Sequence, residues 1–228
     1  MALDINDRQA VEKVVCSVIE AEGKIDILVN NAGFGQFGPL IDVGLDKLLL
    51  QFQTNVFAPL FLAQQVAPSM KEQGSGLIIN IGSISGLVTT PFAGAYCASK
   101  AALHSLSEAM RMELAPFNIQ VVTVQPGAIA SGFGTSAERN LEEVVSSKSW
   151  YASLEPVIRA RATLSQVAAT PSDEFAAELV ARVTKPNLPN VIRIGKKSLW
   201  LPWLKKLLPD RLMEFILRRK FGLSRGRQ

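Results

Sequence analysis

The sequence predicts a doubly wound α/β domain, a parallel sheet covered by helices on both faces. Short apolar runs alternate along the chain with longer segments of helical periodicity. Of the 228 residues, 48% are apolar, enough for a sizeable buried core. Polar, glycine-containing stretches fall just after the apolar runs, where open parallel sheets keep their binding sites.

The elements follow in order. "VEKVVCSVIEAEG", residues 11 to 23, has apolar positions at helical spacing and ends in glycine; "IDILVNNAG" then reads as a buried strand stopping at Asn30 to Gly33. Residues 45 to 73 predict one long helix, adjusted at Pro59 and Pro68. "GLIINIGS" (76 to 83) is the next buried strand, residues 94 to 116 a second long helix, and "IQVVTVQPGAI" a strand running into a Pro-Gly turn. After a polar, serine-rich stretch from 131 to 149, "PSDEFAAELVARVTKP" opens with a capping signal and acids and closes with bases and proline. "NVIRIG" (190 to 195) is the last strand.

Composition excludes several function classes. Cys16 and Cys97 have no CxxC spacing, and His104 is the single histidine, so neither a disulfide scaffold nor a multi-histidine metal site is expected. The first residues lack the pattern of a secretory signal, and no apolar run is long enough to span a bilayer, so the expected location is cytoplasmic, with the option of a peripheral membrane contact. Residues 196 to 228 hold ten Lys or Arg against Asp210 and Glu214, whereas the preceding 195 residues hold 14 bases and 18 acids. The basic character therefore belongs to the tail, and no nucleic-acid motif accompanies it.

"GAYCASKAALHSL" (94 to 106) places Tyr96 and Lys100 four positions apart, on one face of the expected helix. An ammonium beside a phenol favours the phenolate and is expected to lower the Tyr96 pKa from about 10, suiting it to proton exchange with a carbonyl or alcohol oxygen. Ser83, on the loop after its strand, can donate to the same oxygen. Gly86 and Gly94 are expected to serve tight turns, as Gly82 and Gly127 can also do. His104 is read as a packing or surface residue, and Cys97 as a small packing residue.

Taken together, "NNAG" (30 to 33), Asn55 in "NV", "INIGS" (79 to 83), "YCASK" (96 to 100) and "PGAIAS" (126 to 131) resemble the short-chain dehydrogenase/reductase family in order and spacing, over residues 1 to about 195. The resemblance implies a Rossmann-type domain with catalytic Asn55, Ser83, Tyr96 and Lys100: Tyr96 as acid/base, Lys100 as its pKa partner and a holder of the nicotinamide ribose, Ser83 orienting substrate, Asn55 supporting a water-linked proton relay. It implies that Asn30, Ala32 and Gly33 line the adenosine side of the cofactor and that Asp4 meets the adenine amino group. Pro126, Gly127 and Ile129 would face the nicotinamide, with Ser131 standing where the family commonly has threonine.

The family's first strand and glycine-rich pyrophosphate turn have no counterpart before "MALDIND", so an N-terminal truncation on the order of 50 residues is expected, either real or because Met1 is internal to a longer chain. Its loss would leave a short strand at Ala2 to Asp4 unpartnered and residues 27 to 29 as an uncovered edge. The tail, 196 to 228, interleaves Trp200, Trp203 and many leucines with bases; it is expected to form a basic amphipathic helical segment that serves as a membrane contact, a lid or an oligomer contact. The implied function is an NAD(P)-dependent oxidoreductase interconverting a carbonyl and an alcohol on a small apolar or lipid-like substrate, with NADP preferred over NAD by analogy with reductases of apolar ketones. Homo-oligomerisation through the helices at 45 to 73 and 94 to 116 is a family expectation, and nucleic acid is not an expected partner. The competing class is a non-catalytic binding or scaffold protein unable to hold the cofactor pyrophosphate.

Overall fold

The structure, a computed structural model, describes residues 2–139, 141 and 146–224. Helix α1 (Arg8–Glu22) starts at Asp7, whose carboxylate accepts the Ala10 N–H at 3.1 Å, and ends at Gly23, which takes the left-handed conformation (φ 77°) and returns its N–H to Ile19. Strand β1 (Ile27–Asn30) leads to α2 (Leu45–Phe52), a π-helical turn at Gln53–Phe57 and α3 (Ala58–Glu72), which together run as one continuous helix. The adjustment expected at Pro59 is this π-turn, one turn earlier. Pro59 cannot donate to the carbonyl four residues back, that of Asn55, and its ring would strike it; widening the turn removes the clash.

Strand β2 (Gly76–Ile81) is followed by a 3₁₀ turn, Ile84–Gly86, and by α4 (Gly94–Leu114). Next come β3 (Ile119–Pro126), a short β4 (Ile129–Ala130), α5 (Phe133–Arg139), α6 (Glu155–Thr163), a short β5 (Thr170–Pro171), α7 (Ser172–Val183) and β6 (Val191–Ile194). The tail forms α8 (Trp200–Leu207) and α9 (Asp210–Lys220). The stretch read as serine-rich and polar from 131 to 149 is helical at α5, and its residues 140 and 142–145 lie outside the described ones. No strand forms at Ala2–Asp4, where an isolated segment has no neighbour to complete a ladder.

The main sheet has the order β1-β2-β3-β6, all parallel, with Asn30 opposite Asn80, Asn80 opposite Thr123 and Thr123 opposite Val191. β4 and β5 pair separately, also in parallel. Alternation within the strands sends Ile78 and Val121 to one face, against Val11 and Val15 of α1 and Ala63, Val66 and Met70 of α3. Leu77, Ile79, Ile81, Val122 and Val124 face the other way, against Leu179 of α7. Both faces are covered, as the apolar runs predict. β1 is an edge strand, and Ile27 and Val29 are 48% and 49% exposed.

A third apolar cluster lies above the carboxyl ends of the strands. It joins Phe37, Phe92, Tyr96, Ile158 of α6 and Phe221, which follows α9. The tail is therefore packed onto the body through Met213 and Phe221, both buried.

Candidate active site

Because the strands are parallel, the segments after β1, β2 and β3 open on the same side, and they bring together most of the residues that the sequence singles out. Ser83 stands two residues beyond β2, buried, with its hydroxyl accepting the Ser85 N–H at 3.1 Å. Its backbone N–H donates to Nε2 of His104 at 3.3 Å. His104, one face of α4 below the site, is thus an anchor for the Ser83 loop rather than a passive packing residue. Gly82 and Gly86 make room for its ring: a Cβ on Gly82 would lie 2.3 Å from Nε2, and one on Gly86 would lie 2.6 Å from Cε1. Neither glycine has a positive φ, so both are required by close approach and not by a turn.

Tyr96 sits in the first turn of α4, buried, with the Ser83 side chain placed to favour its phenolate. Burial dominates its titration and pushes the phenol up to about 12, against the smaller lowering from Ser83 and the Arg161 guanidinium. This overturns the expectation that Lys100 depresses it. The Lys100 ammonium instead donates to the Ile81 carbonyl at 2.8 Å at the end of β2, and burial lowers its own pKa to about 8. Cys97, the neighbour of Tyr96, is a buried packing residue whose thiol is pushed up by burial.

Asn55 is fully buried in the π-turn. Its Nδ2 donates to the Phe34 carbonyl at 2.9 Å and to Ser99 Oγ at 3.1 Å, and its Oδ1 accepts the Phe34 N–H at 3.1 Å. Ser99 in turn donates to the Tyr96 carbonyl at 2.8 Å, so one chain of bonds ties the loop after β1 to the tyrosine's own backbone. Sequence reasoning did not single out Ser99, although it lies inside "YCASK". Ala32 and Gly33 are exposed at the end of β1, and a Cβ on Gly33 would meet Asn55 Oδ1 at 2.9 Å and Lys100 Nζ at 3.6 Å.

Asn30 faces inward. Its Nδ2 donates to the Pro59 carbonyl at 3.2 Å and to Asn80 Oδ1 at 2.8 Å, and Asn80 donates to Ser107 of α4 at 2.9 Å. This network pins β1, β2, α3 and α4 together; Oδ1 of Asn30 is buried without a partner. Asp4 is exposed, with Oδ1 accepting the Asn6 N–H at 2.9 Å, and Asn6 bonds Thr54 in the turn that holds Asn55. Pro126 and Gly127 close β3, and a Cβ on Gly127 would fall 2.0 Å from the Lys196 carbonyl, so glycine is needed for that crossing. Ile129 is half-buried in β4, and exposed Ser131 is held by Gln166 through its backbone N–H at 3.1 Å.

Comparison with known proteins decides what this arrangement belongs to. Residues 1–142 match the family model described as short chain dehydrogenase. The chain belongs to that family. It is 31% identical over 221 residues to the 3-ketodihydrosphingosine reductase of Bacteroides thetaiotaomicron, covering 96% of this chain and 81% of that one. Among solved structures it resembles a short-chain dehydrogenase from Streptomyces avermitilis, at a TM-score of 0.76 and 30% identity over 97% of this chain and 78% of that one. It also resembles an NAD+-bound xylitol dehydrogenase, at a TM-score of 0.69 and 30% identity, over 86% and 77% of the two chains. This short-chain dehydrogenase is an oxidoreductase of Rossmann-type fold.

Two further features of this dehydrogenase escape sequence reasoning. A cleft of about 510 Å³ runs along the loop between Ser83 and Tyr96 and under the tail, with Leu40, Leu87, Val88, Phe92, Met213 and Leu217 in its wall. Arg161 of α6 is buried, donates to Thr90 Oγ1 at 2.7 Å and lies 5.2 Å from the centre of the Phe37 ring. Its charge favours the Tyr96 phenolate.

Proposed function

We propose that this dehydrogenase reduces the carbonyl of an apolar, lipid-like substrate to the alcohol, using a nicotinamide dinucleotide as cofactor. The observation that carries the reading is the meeting of buried Ser83 and Tyr96 at the carboxyl end of the sheet with the buried ammonium of Lys100, which is held on the Ile81 carbonyl. A phenol pushed up to about 12 holds its proton at neutral pH, so a proton is available there for a carbonyl oxygen. Ser83 Oγ, buried beside it, can orient that oxygen. The chain of Asn55, Ser99 and the Tyr96 backbone fixes the first turn of α4, so the phenol's position is set by the loop after β1.

The residues fit such a cofactor. Only one of the three Lys100 donors is taken by Ile81, and Gly33 leaves open the space that a side chain would fill next to Nζ, a setting suited to ribose hydroxyls. Ala32 and Gly33 would lie along the adenosine side, Pro126, Gly127 and Ile129 along the nicotinamide, with the Ser131 hydroxyl available to its carboxamide. When bound, the reduced nicotinamide supplies the hydride. The relative named as a 3-ketodihydrosphingosine reductase supports a long-chain ketone, and Leu87, Val88 and Phe92 on the loop before Tyr96 offer apolar contacts to it. NADPH is the expected form, by analogy with reductases of apolar ketones. Exposed Leu45, Leu49, Leu50 and Phe57 on the α2–α3 helix, and Met112 on α4, support self-association through those helices.

Thermal-shift titration with NADPH and with NADH tests the cofactor, since a ligand at about one hundred times its Kd adds about 2.7 kcal/mol to the folded state. A saturable shift is expected, larger at equal concentration for NADPH, together with loss of NADPH absorbance on adding a long-chain 3-ketone. A cooperative melt without a shift at millimolar cofactor would sink the proposal. Turnover of short polar ketones in preference to long-chain ones would overturn the substrate class.

A further inference from the structure

The tail presents a face that the reaction site does not use. On α8, Trp200, Trp203 and Leu207 recur at helical spacing and are 57%, 59% and 57% exposed; Leu199 extends the same surface. On α9, Leu212, Phe215 and Ile216 are exposed, while Met213 is buried against the body. Large apolar side chains concentrated on two consecutive helices mark a surface that meets something.

Charge indicates what it meets. Lys196, Lys197, Lys206, Arg211, Arg219 and Lys220 are exposed along the same segment. Its two acids are already engaged, Asp210 by Lys205 at 2.5 Å and Glu214 by Arg218 at 3.9 Å. Over residues 196 to 228 ten bases face two acids, so tail-to-tail pairing of two copies would set like charges together. Nucleic acid would satisfy the bases but leave Leu207, Phe215 and Ile216 in water. An anionic bilayer surface satisfies both: indoles settle at headgroup level, aliphatic side chains enter the acyl boundary, and long basic side chains reach the phosphates. An open cleft of about 460 Å³ between α8 and β6 has the matching lining, Trp200 and Trp203 with Arg193 and Lys206.

We infer that α8 and α9 dock this protein on an anionic phospholipid surface. They lie in the interface and do not cross it, since no helix among the described residues is long and apolar enough to do so. Lys205, Met213 and Leu217 also line the cleft along the loop before Tyr96, so a docked tail sets a wall of that cleft beside the lipid. The inference stands apart from the reaction proposed above, and its test needs no turnover.

The test is flotation of the full chain with phosphatidylcholine vesicles and with vesicles containing about one third phosphatidylglycerol, at low salt and at about 1 M salt. Binding to the anionic vesicles alone is expected, weakened by salt and reduced at least about tenfold in Trp200→Ala/Trp203→Ala. Both tryptophans are more than half exposed, so an unchanged melting temperature serves as the fold control. In a Trp150→Phe background the emission comes only from Trp200 and Trp203, and it should shift to the blue on adding anionic vesicles. Failure to float with anionic vesicles, equal binding to neutral ones, or binding unaltered by the double substitution would overturn the inference. So would a vesicle-independent blue shift that tracks dimer formation.

Discussion

Tyr96→Phe is expected to lower kcat by about 10²–10⁴ while leaving the melting temperature at neutral pH almost unchanged. The substitution removes only the hydroxyl. The ring keeps its place between Phe37 and Phe133, with centroids 5.8 Å and 5.2 Å away, and Ser83 Oγ keeps the Ser85 N–H as a partner. The alkaline side supplies an independent readout. Burial raises the Tyr96 pKa from 10.0 to about 12, so between those values the folded state holds a proton that the unfolded chain has released. Stability is lost as pH rises through that window, and Tyr96→Phe removes this part of the loss. Lys100, lowered from 10.5 to about 8, acts with the opposite sign between about 8 and 10.5, so the two groups can be separated by pH. A Phe variant that retained full turnover would exclude Tyr96 as the proton donor.

Wild-type protein should lose stability as pH falls from 6.5 towards 4, and His104→Gln should lose less. Burial, with Lys100 and Arg193 adding repulsion, lowers the His104 pKa from 6.5 to about 4. Below 6.5 the unfolded chain takes up a proton that the folded state refuses, so stability rises with pH across this window, by at most about 3 kcal/mol. The Ser83 N–H donates to Nε2, so the imidazole proton resides on Nδ1, which is buried without a partner among the described residues. Glutamine keeps an acceptor and does not titrate. The chain has one histidine, so its NMR titration is a single curve, and a midpoint near 6.5 would refute the arrangement.

The sheet was legible because its strands are largely apolar runs bounded by turn signals: 27–30, 76–81, 119–126 and 191–194 all lie within the segments read as strands, although the edge strand 27–30 is half exposed. Both long helices were legible from periodicity. α5 and α6 were not, since "FGTSAER" and "EPVIRARAT" carry no apolar stripe and owe their helicity to packing above Tyr96. At the site, Tyr96 and Lys100 share α4 as their spacing implied, and Asn55 was singled out only through family resemblance, whereas the titration of Tyr96 was misread. Spacing shows which groups can meet; it does not show that burial outweighs a neighbouring ammonium bonded elsewhere. Arg161 and His104 stayed hidden because their roles depend on contacts across 71 and 21 residues of chain.

The burial of Phe221 in the same cluster as Tyr96 has a consequence for synthesis. Tyr96 leaves the ribosome about 125 residues ahead of the side chain that helps enclose it, an interval of roughly 6 to 25 s at ordinary elongation rates. For that time the sheet can fold while its upper apolar cluster stands open to solvent and chaperones. A segment made late thus helps to seal this cluster, and a nascent chain stopped short of Phe221 would display Phe37, Phe92 and Tyr96 as a ready surface for quality control.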